Sequence, residues 1–314
     1  MIMKTTRNFW DALPLIFKAR MFRDRSSKDI TFRNGITLNL NWREYADVRE
    51  IVSNGYIVRK LGKLYLVVKG KMKLVGPLDL IVRVVNDHLD RVYECECKNK
   101  VVLDVGGFIG DTAVLFSTWG ARKIIIYEPV KSHHEFIKMN IMLNGFEAEL
   151  HDEGVSDHQG FEIVRYDTLN EVFGLEGKGT RKMTIRVKDV GTIIKESHAG
   201  IAKFDCEGAE NSLISVTNET LRLIETYLIE IHTSETRKLL LAKFQDAGFI
   251  CVRELRDQHN RDISFVRFKR KETISAISKY CESANSGTQI LETPQQDGRG
   301  SPKCASIGIA TTNF

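Results

Sequence analysis

Proline is scarce in this chain, five in 314 residues, which excludes long proline-rich linkers inside the body. Cysteine occurs six times but never as a C-x-x-C pair. Cys95-x-Cys97 is the one close pair, and no His or Cys follows it at zinc spacing. With Cys206, Cys251, Cys281 and Cys304 these read as reduced thiols, which sets an expectation of a cytoplasmic protein. No run of about 18 apolar residues occurs, so no helical membrane span is expected. The apolar patch at residues 9–17 is short and broken by Asp11 and Pro14, and it is not read as a signal peptide. No internal repeat is evident.

Charge of one sign is also missing from most of the chain. The formal net charge is +5, yet residues 1–34 hold 8 Lys/Arg against 3 Asp/Glu and residues 271–314 hold 4 of each sign. The body between them is therefore neutral, which argues against a broad nucleic-acid-binding face. The basic arm, with Phe9, Trp10 and Phe17, is the candidate for a weak contact with an anionic surface. Its bland counterpart is an arm whose aromatics pack on the core. Residues 271–314 are rich in Ser, Thr, Gly, Gln and Asn, with Tyr280 and Phe314 as their aromatics. They lack the apolar area that offsets ordering entropy and are expected as a disordered tail.

What is present is a strand-and-helix alternation. Residues 35–75 read as short strands, with a hairpin where 56–58 and 64–68 flank the turn Gly62-Lys63. An amphipathic helix follows Pro77, carrying Ile81, Val84, Val85, Leu89 and Val92 at helical spacing. From residue 101, strands are expected at 101–105, 123–127, 147–151, around Met183, Ile185 and Val187, at 201–204 and at 227–231. Helices are expected at 111–119, from a Ser132/Glu135 capping box to Gly145, from about Ala209, and at 235–247. Residues 249–252 and 263–268 form a closing strand pair. This pattern predicts an α/β fold with a mostly parallel sheet covered on both faces. Three regions follow: an N-terminal α+β extension (1–95), a core (96–270) and the tail (271–314).

The segment VVLDVGGFIGDT, residues 101–112, carries the chemistry. A buried strand brings Asp104 near its end, and Gly106, Gly107 and Gly110 turn the chain tightly, close against a bound cofactor, into a helix that opens with Asp111. A dinucleotide fingerprint needs G-x-G-x-x-G. Gly107 and Gly110 fit its last two positions, but the first falls on Val105. A carboxylate at Asp104 would repel a pyrophosphate and suit S-adenosylmethionine, which carries an ammonium and a sulfonium and no phosphate. Glu128 lies 22 residues after Gly106, at the end of the second strand, where an acid binds ribose hydroxyls. The bland alternative is a glycine turn that merely packs a helix on a sheet.

Other segments extend the pattern: IAKFDCEGAE (201–210), YEP (127–129), the Asn140…Asn144-Gly145 spacing and LIEIH (228–232). Together with LDVGGFIGDT they resemble the FkbM-type methyltransferases, which show a D-x-G-x-x-x-G loop, an E-P pair and a K-x-D-x-E-G-A-E segment. The resemblance spans roughly residues 100–270 and implies a Rossmann-like, seven-stranded methyltransferase sheet with a closing antiparallel strand. It implies S-adenosylmethionine as cofactor, with Asp104, Gly106, Gly110 and Asp111 at the methionine end, Glu128 on the ribose and Asp205 beside the transferring methyl. It also implies O-methylation of a small molecule or glycan. Phe108 departs from the family, whose loop often carries a small polar residue there.

Methyl transfer to a hydroxyl needs an aligned acceptor and a group to take its proton. Strand ends supply Lys203, Asp205, Glu207, Glu210, Glu230 and His232. Asp205 leads this set, with His232 and Glu207 as further catalytic candidates. Lys203 has the plain reading of a partner for a neighbouring acid, and Glu210 that of a first-turn helix residue. No metal is assigned, because Asp205 and Glu207 offer no obvious third ligand. His133 and His134 are adjacent on a helix and are read as surface residues. An RNA methyltransferase, favoured by the basic arm, and a non-catalytic binding protein that keeps the fold are the alternatives.

Overall fold

A computed structural model of the chain describes residues 27–86, 89–166, 181–256 and 262–272. The expectations for the basic arm up to residue 26 and for the tail from residue 273 lie outside the described residues. The N-terminal part opens with the antiparallel pair β1 (Lys28–Thr31) and β2 (Thr37–Leu40). It continues into helix α1 (Trp42–Ser53), a stretch where short strands were expected. The helix has a sequence cause: the Asn41 side chain accepts from the backbone of Arg43 and Glu44, and Glu44 accepts in return from Asn41 N–H. That reciprocal cap satisfies N–H groups that would otherwise be orphaned, and Tyr45, Val48 and Ile51 bury one face. The expected hairpin is present. Strands β3 (Ile57–Leu61) and β4 (Leu64–Lys69) pair across Gly62-Lys63, and β5 (Met72–Gly76) adds a third strand. Helices α2 (Leu78–Asn86) and α3 (Leu89–Val92) lead into the core.

The core strands are β6 (Val101–Val105), β7 (Lys123–Tyr127), β8 (Ala148–His151), β12 (Ile201–Phe204), β13 (Thr226–Ile231), β14 (Phe249–Arg256) and β15 (Ser264–Arg270). They form one seven-stranded sheet in the order β14-β15-β13-β12-β6-β7-β8. The pairings from β13 through β8 are parallel, and β15 is antiparallel to β13 and β14. This is the expected Rossmann-like α/β sheet. β6 is buried at all five positions, as a strand covered on both faces must be. Val102 and Ile124 look into one core, shared with the N-terminal part, and Leu103 and Ile125 look into the other, under the C-terminal helices. The chain winds outward from β6 to β7 and β8, then returns to place β12 on the other side of β6. The crevice between β6 and β12 is thus the switch point, where ligands bind in such sheets.

The helices between these strands are α4 (Asp111–Thr118), α5 (Lys131–Asn144), α6 (Val190–Ser197), α7 (Asn218–Leu221) and α8 (Ser234–Asp246), and the helix expected from about Ala209 is a 3₁₀ helix, Ala209–Ile214. α5 ends at Gly145, at φ +65, as its glycine suggests. Its start differs from expectation. The N-cap is Val130 with no side-chain cap, so the Ser132/Glu135 box is not formed. Glu128 takes the Val130 N–H instead.

Asn140 and Asn144, one turn apart on α5, dock the N-terminal sheet. Asn140 exchanges bonds with both backbone groups of Val75 (2.7 and 3.1 Å), and Asn144 does the same with Lys73 (3.1 and 2.7 Å). Two amides thereby replace a missing strand along the open edge of β5. A separate three-stranded sheet, β9 (Gly154–Ser156), β10 (Gly160–Tyr166) and β11 (Arg181–Asp189), follows β8 in order β10-β11-β9. Met183, Ile185 and Val187 lie on β11 as expected, but in this sheet and not in the main one. Among the described residues no helix is long and apolar enough to cross a membrane.

Candidate active site

A cavity of about 460 Å³ opens above the carboxyl ends of β6, β7, β12 and β13. Gly106 and Asp111 come to it from the turn after β6, Glu128 from the end of β7, and Asp205 and Glu207 from the turn after β12. Glu230 and His232 come from the end of β13. Arg83 and Val84 on α2, with Val164, Met183 and Ile185 from the three-stranded sheet, complete the lining. An apolar wall with a few converging charged groups is what a small-molecule site requires.

The turn 106–110 is held from below. Gly106 N–H and Gly107 N–H both donate to Tyr127 O, at 2.9 and 3.1 Å, and Phe108 N–H donates to Glu128 Oε2 at 2.8 Å. A Cβ on Gly106 would overlap the carbonyl oxygen of Asp205, and one on Gly107 would overlap the Ile126 side chain. These glycines therefore serve backbone-to-protein approach first. Gly107 and Gly110, expected at the cofactor, are not among the residues lining the cavity. Asp104 is not either: fully buried, it sits 3.2 Å from Lys203 Nζ and accepts from Thr112 Oγ1 at 2.7 Å. Its acid holds a lysine rather than facing the cavity.

Lys203 also donates to Gly106 O at 2.7 Å, tying β12 to the turn after β6. Burial works against its charge, but Asp104, Asp205 and Asp111 outweigh burial and hold the ammonium charged beyond its ordinary range. Asp111, 5% exposed, lines the cavity, and its Oδ1 has no hydrogen-bond partner among the described residues. Burial pushes its carboxyl up to about 7. Such a group suits a cationic or hydrogen-donating ligand.

Glu128 is engaged at both oxygens, Oε2 by Phe108 N–H and Oε1 by Val130 N–H at 2.9 Å. Carboxylate oxygens accept more than one bond, so it clamps the turn and still faces the cavity. The reading of His133 as a surface residue is corrected. It is 4% exposed, lines the cavity, and meets Phe108 edge-on with ring centroids 5.0 Å apart. Its neighbour His134 points elsewhere, to Glu128 O at 2.6 Å.

At the other end, His232 is the hub. Its Nδ1 lies 3.1 Å from Glu210 Oε1, which also accepts from His232 N–H at 3.0 Å. Its Nε2 lies 3.4 Å from Glu207 Oε2 and 3.8 Å from Glu230 Oε1. Burial works against a charge on this imidazole, but the bond and charge of Glu210, with Glu207 and Asp205, raise it to about 9. At neutral pH, without another partner, it is a cation and not a general base. Burial raises Glu207 to about 7, where a proton acceptor works well. Asp205 Oδ2 accepts from Tyr93 O–H at 3.0 Å, and Glu230 Oε2 lies 3.3 Å from the same hydroxyl. No sequence signal pointed to Tyr93, which follows α3 and lies more than a hundred residues away along the chain.

Asp205, Glu207 and His232 present ligand atoms all within 4.8 Å of one another. The third partner that seemed absent in the sequence is thus supplied by β13.

No family model and no curated protein matches this chain. Solved structures resemble it at low identity and low TM-score. A Streptococcus mutans protein described as a SAM-dependent methyltransferase is 10% identical with a TM-score of 0.44, over 83% of this chain and 66% of that one. A Streptococcus pneumoniae protein described as a tRNA (m1A22) methyltransferase, in complex with S-adenosyl-L-methionine, is 13% identical with a TM-score of 0.39, over 59% and 72%. The ribosomal protein L11 methylase of Lactobacillus delbrueckii subsp. bulgaricus is 11% identical with a TM-score of 0.33, over 62% and 77%.

Proposed function

We propose that this chain is an S-adenosylmethionine-dependent methyltransferase of FkbM type that methylates a hydroxyl of a small molecule or glycan. The observation that carries the cofactor is the pair of carboxylates flanking the turn at the switch point. Asp111 lines the cavity and its buried Oδ1 has no partner among the described residues, which suits the ammonium of the methionine end. Glu128 stands at the end of β7, where a ribose diol is held. Five carboxylates line the cavity (Asp111, Glu128, Asp205, Glu207 and Glu230) against Arg83, Lys203 and the His232 imidazolium. That excess favours a cationic cofactor and disfavours a pyrophosphate or a nucleic-acid backbone at this end.

Titration calorimetry with S-adenosylmethionine, its demethylated product and NAD tests the cofactor. The first two are expected to bind and NAD is not; the reverse overturns the reading. Asp205 supports the position beside the methyl group, since it faces the cavity from the turn after β12. Asp205→Asn should keep cofactor affinity and lower turnover about 10²–10⁴-fold. Radiolabelled cofactor with fractionated extract identifies the acceptor, and label appearing in RNA would replace the hydroxyl reading.

A further inference from the structure

We propose that Asp205, Glu207 and His232 form a binding site for one divalent first-row transition ion at the acceptor end of the cavity. The three come from two segments, the turn after β12 and the end of β13, and their ligand atoms lie within 4.8 Å of one another. An ion with bonds near 2.1 Å needs ligand atoms about 3–4.2 Å apart, so closure asks for side-chain shifts of up to roughly half an ångström. All three line the cavity and are partly exposed, which leaves an ion both an entry path and open positions for water or substrate.

A second observation lies behind the imidazole. Metal-bound histidines almost always hand their other ring nitrogen to a carboxylate, a backbone carbonyl or water. Here the nearly inaccessible Glu210 holds Nδ1 at 3.1 Å and directs Nε2 toward Glu207. Glu210 is itself fixed by the N–H groups of Gly208 (2.8 Å) and His232 (3.0 Å). Tyr93 O–H does the same for Asp205. Glu230 Oε1, 3.8 Å from Nε2, stands beside this set as a further oxygen outside it. Two carboxylates with one imidazole form a mixed oxygen and nitrogen set. It favours Mn²⁺, Fe²⁺ or Zn²⁺ over Mg²⁺ and Ca²⁺, which prefer oxygen alone. The use of the ion rests on the methyltransferase reading: it would bind the acceptor oxygen and ease loss of its proton. Ion binding itself does not depend on that reading.

The test uses the full chain after chelator treatment, with free Mn²⁺ followed by electron paramagnetic resonance. One Mn²⁺ per chain, displaced by Zn²⁺, is expected. No loss of the free-ion signal up to about millimolar Mn²⁺, the weak end of functional protein sites, overturns the proposal. His232→Ala and Asp205→Asn should each weaken binding more than about tenfold, and Glu210→Gln by about 10–100-fold through the imidazole alone. Mn²⁺ bound equally by these variants overturns the site. Should a variant fail to fold, the unmutated chain still decides: Mn²⁺ must protect His232 from diethyl pyrocarbonate, and unchanged modification counts against the site. Calorimetry with the demethylated cofactor on the same samples reads the methyltransferase proposal separately.

Discussion

The chain makes two turns of similar design on neighbouring strands and fills them differently. After β6 the sequence DVGGFIGD ends in Asp111, and after β12 the sequence FDCEGAE ends in Glu210. Both turns use left-handed backbone, at Gly106, Phe108 and Gly110 in the first and at Glu207 and Gly208 in the second. Both place an acid at the start of a helical segment. Asp111 lines the cavity and keeps a buried oxygen with no partner among the described residues, whereas Glu210 is bonded to Gly208 and His232. An unpaired buried acid is a place for a ligand, and a saturated one positions another side chain. The first turn is a receptor and the second a mount for His232.

The largest expected effect separates the two glycines. Gly106 combines φ +81 with no room for a Cβ, because Asp205 O occupies that space. Gly106→Ala should cost about 3–5 kcal/mol, from backbone strain and displacement of the neighbouring strand end. Urea denaturation measures it, and a loss below about 1 kcal/mol would mean the turn can slide.

Glu128→Ala removes acceptors from Phe108 N–H and Val130 N–H and empties the proposed ribose position. Binding of the demethylated cofactor should weaken by about 1.5–3 kcal/mol. Unchanged calorimetric affinity would confine Glu128 to holding the turn.

Asp111 gives a pH signature. Its folded pKa of about 7 lies above the unfolded value of about 3.9, so the folded state binds the proton more tightly. Stability therefore falls as pH rises through that window and stays lowered above it. Asp111→Asn cannot ionise, so it should gain about 1–3 kcal/mol over the unmutated chain at pH 8 and little at pH 4. Thermal unfolding at both pH values checks this, with cofactor affinity expected to fall in the same variant. A gain equal at both pH values would show that charge is not the cause.

The smallest effect closes the comparison. Gly208 has φ +100, but nothing stands within 4 Å of where a Cβ would sit, so only its backbone conformation resists substitution. Gly208→Ala should cost about 1–2 kcal/mol, clearly less than Gly106→Ala. Equal losses would erase the distinction between the two turns.

Much of the fold was legible because its signals are local. The hairpin at Gly62-Lys63, the end of α5 at Gly145 and the buried run Val101–Val105 each follow from turn chemistry or unbroken apolarity. The Asn41/Glu44 cap and the helical spacing of Tyr45, Val48 and Ile51 are equally local, yet the alternation at Ile36, Leu38 and Leu40 just before them favours strands. Strands β9 and β10 were missed because Phe161 and Ile163 carry exposed apolar side chains on a short, half-buried sheet.

For the site, local pattern was enough to specify which chemical groups stand at strand ends: Asp111, Glu128, Asp205, Glu207, Glu230 and His232, all of which line the cavity. Their order along the chain follows from strand-and-turn alternation, which needs no knowledge of neighbours. Packing then assigned which charges are neutralised and which remain. The parallel register sets Lys203 beside Asp104, so that acid is neutralised within the sheet and not at the ligand. Packing of segments far apart in the chain likewise brings Glu210 to His232, carries Tyr93 to Asp205 and buries His133 against Phe108. A carboxylate reads the same in sequence whether paired or free; only the packing of residues far apart in the chain supplies or withholds the counter-charge that fixes its role.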